Sequence, residues 1–225
     1  MMSLSIDVDA SHRVSAIFTP PMDANACLVL AHGAGAGMNH SFMTALSGAL
    51  VERRIAVLRY QFPYMENGAK RPDRPPLAQA TVRAAVAAAA RLAPTLPLFA
   101  GGKSFGGRMT SQAQAAAALP GVKGLVFVGF PLHPANKPSI ERAAHLDAVA
   151  APMLFLQGSR DALADLALIE SVAARLAARA TLRIVDGADH SFKVPARTGR
   201  TQSDVIAGLA ENIAGWCASI IAAPV

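Results

Sequence analysis

Short apolar runs alternate along this chain with longer segments in which apolar residues recur at helical spacing. The runs have the length and near-continuous hydrophobicity of strands buried on both faces of a sheet. They are residues 26–31, 55–59, 96–101, 122–129, 152–157 and 181–185. Residues 4–18 predict one or two further strands at an edge.

Helices are predicted between these runs, near residues 41–53, 78–92, 105–118 and 163–178. The fourth has Leu166, Ile169, Val172 and Leu176 on one face. A last helix has an apolar stripe at Val205, Leu209, Ile213, Trp216 and Ile220, and Thr201 with Asp204 predicts a capping box at its start. Alternating strands and helices predict an α/β fold, three layers deep, with a mostly parallel central sheet and helices on both faces.

Length and composition fit one large core. The chain has 225 residues, of which 52% are hydrophobic and 16% charged, as suits a sheet covered on both faces. No internal repeat and no flexible linker separates the chain into parts, so we expect one domain over residues 1–225.

The basic balance of the chain changes this picture little. The formal net charge is +6, but the arginines are scattered and aromatic residues make up only 5%. The densest basic group, Lys70, Arg71 and Arg74, is interleaved with prolines rather than with base-stacking aromatics. We therefore expect no nucleic-acid partner, and interpret this segment as a solvated loop. A second hypothesis is that it leans over a binding site and attracts anionic substrates.

Location and redox state follow from the same composition. Cys27 and Cys217 fall in a predicted strand and a predicted helix, which favours two buried free thiols over a disulfide. The first residues lack the basic and apolar regions of a signal peptide. The apolar tail at 213–225 is shorter than the roughly 20 residues that span a bilayer. We expect a cytoplasmic protein without membrane insertion; the pattern leaves the oligomeric state open.

The segment Gly102-Lys103-Ser104-Phe105-Gly106 carries the first chemical signal. It follows a predicted strand and precedes a predicted helix, which is the context of the nucleophile elbow G-x-S-x-G. Gly-Lys-Ser also ends the phosphate-binding P-loop, but that loop needs a glycine where this chain has Pro97. The sequence favours Ser104 as a nucleophile.

A base and an acid should follow Ser104 in the chain, each after a strand. His190 is the candidate general base, because it alone among the histidines has both this order and this position. Asp161, after the strand at 152–157, is the preferred orienting acid. Asp186 and Asp189 are alternatives in the same loop as His190.

The loop His32-Gly33-Ala34-Gly35-Ala36-Gly37 follows an early strand and lets backbone approach a ligand closely. It is not the dinucleotide fingerprint, since Met38 stands where a glycine is needed. We predict an oxyanion hole from the N–H groups of Phe105 and Ala34, with Gly35 as the alternative second donor. Substrate contacts are expected at Gly33, Gly35 and Lys103.

Taken in order along the chain, these motifs resemble the α/β-hydrolase superfamily, and within it the small lidless hydrolases of the dienelactone-hydrolase-like type. The matches are His32-Gly33-Ala34-Gly35, Gly102 to Gly107, Gly158-Ser159-Arg160-Asp161 and Gly187 to Phe192. The resemblance implies an α/β-hydrolase fold and acyl hydrolysis. Dienelactone hydrolases carry a cysteine nucleophile where this chain has Ser104, so their substrate does not carry over.

The sequence thus predicts a serine hydrolase of carboxylic esters, thioesters or related acyl bonds, whose partner is a small-molecule acyl substrate. Neither His-Glu-x-x-His nor paired Cys-x-x-Cys occurs, so no metal is predicted, and no organic cofactor. The 130–152 segment is too short for a lid domain, which predicts an open site for small acyl groups. The alternatives are a non-enzymatic partner-binding protein of the same fold and an acyltransferase using the same residues.

Overall fold

A computed structural model describes residues 1–223 and contains an eight-stranded sheet. The strands are β1 (Met2–Asp7), β2 (Arg13–Thr19), β3 (Ala26–Ala31), β4 (Ile55–Tyr60), β5 (Leu98–Lys103), β6 (Val122–Val128), β7 (Met153–Gly158) and β8 (Ala180–Val185). The helices are α1 (Ser41–Val51), α2 (Pro63–Glu66), α3 (Pro75–Leu92), α4 (Phe105–Ala116), α5 (Leu166–Leu176) and α6 (Gln202–Ala222).

The sheet is parallel from its third strand onward. Its order is β1-β2-β4-β3-β5-β6-β7-β8, with β1 and β2 antiparallel at one edge, as the pattern of residues 4–18 predicts. All pairs from β4 to β8 run parallel. The carboxyl ends of the parallel strands therefore meet at one edge, where loops from β3, β5, β7 and β8 come together.

Helices cover both faces of the sheet, which explains why its central strands are mostly apolar. Residues of α1 and α6 bury one face, and residues of α3, α4 and α5 bury the other. Successive residues of β3 alternate between the two cores: Cys27 and Val29 join the α3 side, Leu28 and Leu30 the α6 side. The predicted α/β architecture is confirmed.

The starting points of two helices are explained by residues in the sequence. The capping box of α6 is present, with the Thr201 hydroxyl accepting from the Asp204 N–H and the Asp204 carboxylate from the Thr201 N–H. Helix α3 begins at Pro75, three residues before the predicted start. Proline suits the first helical turn, because its missing N–H would have no partner there.

The connection between β6 and β7 is short and mostly irregular. It contains one 3₁₀ helix, Glu141–Ala148, and no lid domain is built on it. The expectation of a lidless architecture is confirmed.

Helix α6 is long and apolar enough to cross a membrane by length and composition alone. It is longer than the apolar tail considered from the sequence, because it begins at Gln202. Its buried residues include Val205, Leu209, Ile213 and Trp216, which pack on the sheet. Its apolar stripe therefore belongs to the core.

Candidate active site

Ser104 lies at the sharp turn between β5 and α4. Its backbone has φ 51° and ψ −114°, a positive φ that residues with a Cβ rarely adopt. Such strain persists only where the surroundings enforce it, and it is typical of functional turns. The turn presents the serine side chain at the carboxyl edge of the sheet, in agreement with the predicted elbow.

The glycines around Ser104 are required by close packing. A Cβ at Gly102 would lie 2.5 Å from the carbonyl oxygen of Ala31, and one at Gly106 would lie 2.5 Å from that of His32. Real Cβ atoms do not approach backbone so closely. The two glycines therefore let α4 and β5 pack against the end of β3, which fixes the direction of the turn.

Three of the predicted residues come together at this edge. The Nε2 atom of His190 lies 2.8 Å from Ser104 Oγ, and its Nδ1 atom lies 2.7 Å from Asp161 Oδ2. The carboxylate can only accept, so Nδ1 carries the proton and Nε2 is free to accept from the serine hydroxyl. A hydroxyl, an imidazole and a carboxylate thus form one continuous hydrogen-bonded line.

Asp161 is also held by groups other than His190. Its side chain is buried, and its oxygens accept from the amide of Gln157 and from the backbone N–H of Leu163. Gln157 is itself fixed, because its side-chain oxygen accepts from the N–H of Phe130 at 2.9 Å. The sequence did not single out Gln157; a polar residue at the end of an otherwise apolar strand was the available signal.

The alternative acids make other contacts. Asp186 accepts from the Ser159 hydroxyl at 3.1 Å, and Asp189 accepts from the backbone N–H groups of Ser191 and Lys193. Neither side chain bonds to His190. The structure thus brings Asp161 to the imidazole, and not its two competitors.

The other histidines each have a different partner. His12 bonds Asp9, His40 caps α1, and His133 accepts from the N–H of Asp165. His145 bonds Ser111, on the sheet face away from the Ser104 cavity.

The loop after β3 lies beside Ser104. Gly33 and Ala34 line the same cavity as Ser104. Among residues 1–223, no partner is found for the N–H of Ala34 or of Phe105, whereas the Gly35 N–H donates to the Tyr64 hydroxyl at 3.1 Å. Of the two predicted second donors, only Gly35 is thus occupied by another partner, and the oxyanion hole stays a prediction.

His32 fixes the start of this loop. Its ring donates from Nδ1 to the Gly33 carbonyl at 2.8 Å and accepts at Nε2 from the Phe62 N–H at 3.0 Å. Burial lowers the pKa of His32 to about 4, so the ring is neutral at physiological pH, as this pattern of bonds requires. The loop is thus held by the segment after β4, through the backbone N–H of Phe62 and the hydroxyl of Tyr64.

Lys103 contacts the base instead of the open cavity. Its stem lines the cavity, but its ammonium donates to the backbone carbonyl of His190 at 2.6 Å. Burial lowers the pKa of Lys103 to about 8, although the charges of Asp161 and Asp189 oppose that shift. Lys103 thus lines the cavity while its ammonium is bonded to the His190 carbonyl, and its contact with substrate stays a prediction.

The family of this chain follows from its match to a protein-family model. Residues 24–218 match the model of the "Alpha/beta hydrolase domain" family, which is most of the chain. The chain belongs to the α/β-hydrolase family.

Solved structures show the same fold with low sequence identity. An α/β serine hydrolase homologue from Coxiella burnetii is 19% identical with a TM-score of 0.75, and covers 95% of this chain and 96% of its own. A dienelactone hydrolase from Anabaena variabilis is 19% identical with a TM-score of 0.76, covering 97% and 96%. A lidless α/β serine hydrolase from Xanthomonas campestris is 22% identical with a TM-score of 0.73, covering 96% and 94%.

The cavity of this α/β hydrolase is small and partly apolar. It measures about 180 Å³, and its lining includes Ser104 and His190 together with the apolar Ala36, Phe42 and Met43. Lys70, Arg71 and Arg74 do not line it. The loop that carries them is tied to α2, because the Asp73 carboxylate accepts from the Tyr64 N–H. Within residues 1–223, no cluster of three or more metal-ligating side chains occurs.

Proposed function

We propose that this α/β hydrolase cleaves a carboxylic ester, a thioester or a related acyl bond through an acyl-enzyme on Ser104. The hydrogen-bonded line from Ser104 through His190 to Asp161 carries the proposal, because it joins a hydroxyl on a strained turn to an imidazole in the accepting tautomer. This is the arrangement of a serine nucleophile, its general base and an orienting carboxylate.

In the proposed reaction, Ser104 Oγ attacks the acyl carbon while its proton passes to His190 Nε2. The N–H groups of Phe105 and Ala34 stabilise the negative charge that develops on the carbonyl oxygen. The imidazolium then protonates the leaving alcohol or thiol, whose bond to the acyl carbon breaks. Water, deprotonated by His190, releases the acid and restores Ser104. Asp161 stabilises the imidazolium in both steps.

The cavity favours short acyl groups. At about 180 Å³ it is smaller than sites for drug-sized ligands, which begin at roughly 300 Å³. Met43 and Phe42 close its apolar side, and both belong to the first turn of α1. An acetyl to butyryl chain would contact these side chains without displacing them, and longer chains would have to leave through the open side.

The proposal is tested by labelling with a fluorophosphonate and by turnover of p-nitrophenyl esters from acetate to octanoate. We expect the folded wild type to label on Ser104 and to turn over the short esters fastest. Ser104→Ala and His190→Ala should abolish labelling. Ser191→Ala is the matched control, since Ser191 lines the same cavity without bonding a histidine, and it should label like the wild type.

Absence of labelling in a folded wild type would overturn the proposal and leave a partner-binding protein as the better explanation. Labelling accompanied by faster acyl transfer to an added alcohol than to water would make the protein an acyltransferase. A cytoplasmic location is part of the proposal, and cell fractionation tests it.

A further inference from the structure

We infer that Lys103 is a positioning residue that holds the main-chain carbonyl of His190 and thereby keeps the imidazole against Ser104. The inference deepens the proposed function and rests on it. It gives the residue before the nucleophile a role that acts on the base, although 86 residues separate the base from the nucleophile in the chain.

The contact is built from several sides. The Lys103 ammonium lies 2.6 Å from the His190 carbonyl oxygen and 5.4 Å from the centre of the Phe192 ring, within range of a cation–π contact. Gly129 makes room for it, since a Cβ at that position would lie 3.1 Å from the Lys103 nitrogen. The ammonium thus occupies a site formed by the end of β6 and by the loop that carries His190.

That loop begins at the edge of the sheet, and its other anchors include the buried Phe192 side chain and the bond from the Arg160 N–H to the Ala188 carbonyl. It follows β8, which is the last strand of the sheet and is only partly buried. It is closed by the backbone bonds between Asp189 and Lys193 and between Phe192 and Asp189, and Phe192 adopts a positive φ of 60°. These bonds shape the loop internally. The Lys103 bond ties the backbone of His190 to the nucleophile turn, whereas the imidazole of His190 reaches the same turn through Ser104.

The charge of Lys103 matters for the strength of this bond. Asp161, Asp189 and His190 are the titratable groups that face it, from the loops after β7 and β8. A charged donor makes a stronger hydrogen bond than a neutral amine. Because burial lowers the pKa of Lys103 to about 8, we expect the support to weaken as the pH rises through that value.

Stability should change in the opposite direction. The folded pKa of about 8 lies below the ordinary value of 10.5, so the unfolded chain binds the proton more tightly between these two values. This group therefore makes the folded state more stable as the pH rises from 8 to 10.5. If Lys103 acted only on stability, activity would not fall over the pH range in which loss of its proton makes the folded state more stable.

The test compares kcat/KM from pH 6.5 to 9.5 in the wild type, Lys103→Met and Lys103→Arg. Lys193→Met is the matched control, because Lys193 is an exposed lysine in the same loop. We expect Lys103→Met to be about tenfold slower than the wild type at pH 7, which corresponds to losing one charged hydrogen bond. The loss should fall in kcat more than in KM. The difference should shrink towards pH 9.5, as the wild type loses its own ammonium.

Lys103→Arg keeps a permanent charge, so it should restore most of the activity at pH 7 and lack the alkaline decline. Lys193→Met should follow the wild type throughout. Equal profiles for Lys103→Met and the wild type would overturn the inference. So would a Lys103→Arg variant as slow as Lys103→Met at pH 7.

Hydrogen exchange separates this inference from the proposed function. In Lys103→Met, the amides of Asp189 and Phe192 should exchange faster than in Lys193→Met, whether or not the protein turns over esters. A wild type without turnover or labelling would end the proposed function, while faster exchange would still support the positioning contact. If the amides of Asp189 and Phe192 exchanged at an unchanged rate in Lys103→Met, and the wild type turned over esters, Lys103 would not be a positioning residue.

Discussion

Two serine–histidine pairs lie on helix α4 and the turn before it. Their hydrogen bonds have nearly the same length, but the position of the serine and the surroundings of the histidine differ. Ser104 Oγ lies 2.8 Å from His190 Nε2, and Ser111 Oγ lies 2.7 Å from His145 Nε2. Ser104 sits before the first helical residue, on a strained turn at a cavity. Ser111 lies inside the helix and is fully buried.

The proton runs in opposite directions in the two pairs. The Ser111 hydroxyl also lies 2.9 Å from the carbonyl of Arg108, which can only accept, so the hydroxyl donates there and His145 Nε2 donates to Ser111. His190 Nε2 instead accepts the hydrogen bond from the Ser104 hydroxyl, because Asp161 holds the proton on Nδ1. A short hydrogen bond alone therefore does not indicate a nucleophile; the third group behind the imidazole does.

The imidazoles of the two pairs also differ in the charged groups near them. Burial and the nearby Arg108 charge lower the pKa of His145 to about 4, which keeps that ring neutral. His190 instead bonds the buried carboxylate of Asp161 at 2.7 Å. The nearby charged group is thus a carboxylate in the first pair and a guanidinium in the second.

The largest effect on activity should come from changing Asp161, the carboxylate behind His190 that has no counterpart in the pair of Ser111 and His145. Asp161→Asn places an amide against His190 and favours the tautomer with Nε2 protonated, so kcat should fall on the order of 10⁴-fold. Asp186→Asn is the control, since Asp186 bonds Ser159 instead of His190. Ester turnover by both variants decides the matter. A larger loss in Asp186→Asn would make Asp186 the orienting acid.

A smaller effect should appear in stability at acid pH. The folded pKa of His145, about 4, lies below the ordinary value of 6.5, so its contribution to stability is complete above pH 6.5 and declines as the pH falls towards 4. After allowance for partial exposure, this amounts to at most about 2 kcal/mol. Denaturant unfolding of the wild type and His145→Gln at pH 7 and 4.5 measures it. A difference between the two proteins that does not change with pH would contradict the expectation.

The smallest effect should come from Ser111→Ala. It removes the acceptor of His145 Nε2 and should cost about 1 kcal/mol in the free energy of unfolding. Ester turnover at pH 7 should not change. If turnover fell as it does in Ser104→Ala, the second pair would have to take part in the reaction, and the contrast between the pairs would fail.

The strand-and-helix order was predictable because each central strand is mostly apolar and the long helices have an apolar stripe. Ser104, His190 and Asp161 were identifiable because each follows a strand, and the ends of parallel strands meet at one edge. The sequence favours Asp161 over Asp186, but both lie in loops at that edge, so only the structure distinguishes which carboxylate bonds His190. The short helix α2 went unpredicted, because four residues hold too little periodicity.

Other features depended on packing between distant segments. Nothing in the residues around Lys103 indicates that its ammonium reaches a carbonyl 87 positions further along the chain. Gln157 likewise gains its meaning from Asp161 and Phe130. The sequence alone indicates which residues carry chemistry, and the fold determines which residues support them.

The two thiols give each face of the sheet its own chemical reporter. Cys27 is buried in the core under α3 and Cys217 in the core under α6. Burial raises the pKa of each thiol to about 12, so the folded protein presents almost no thiolate at neutral pH. Reaction of Cys27 with an alkylating reagent therefore requires the covering helix to move away, and reaction of Cys217 requires α6, which carries it, to separate from the sheet. The site of modification then tells which layer of the molecule opened first.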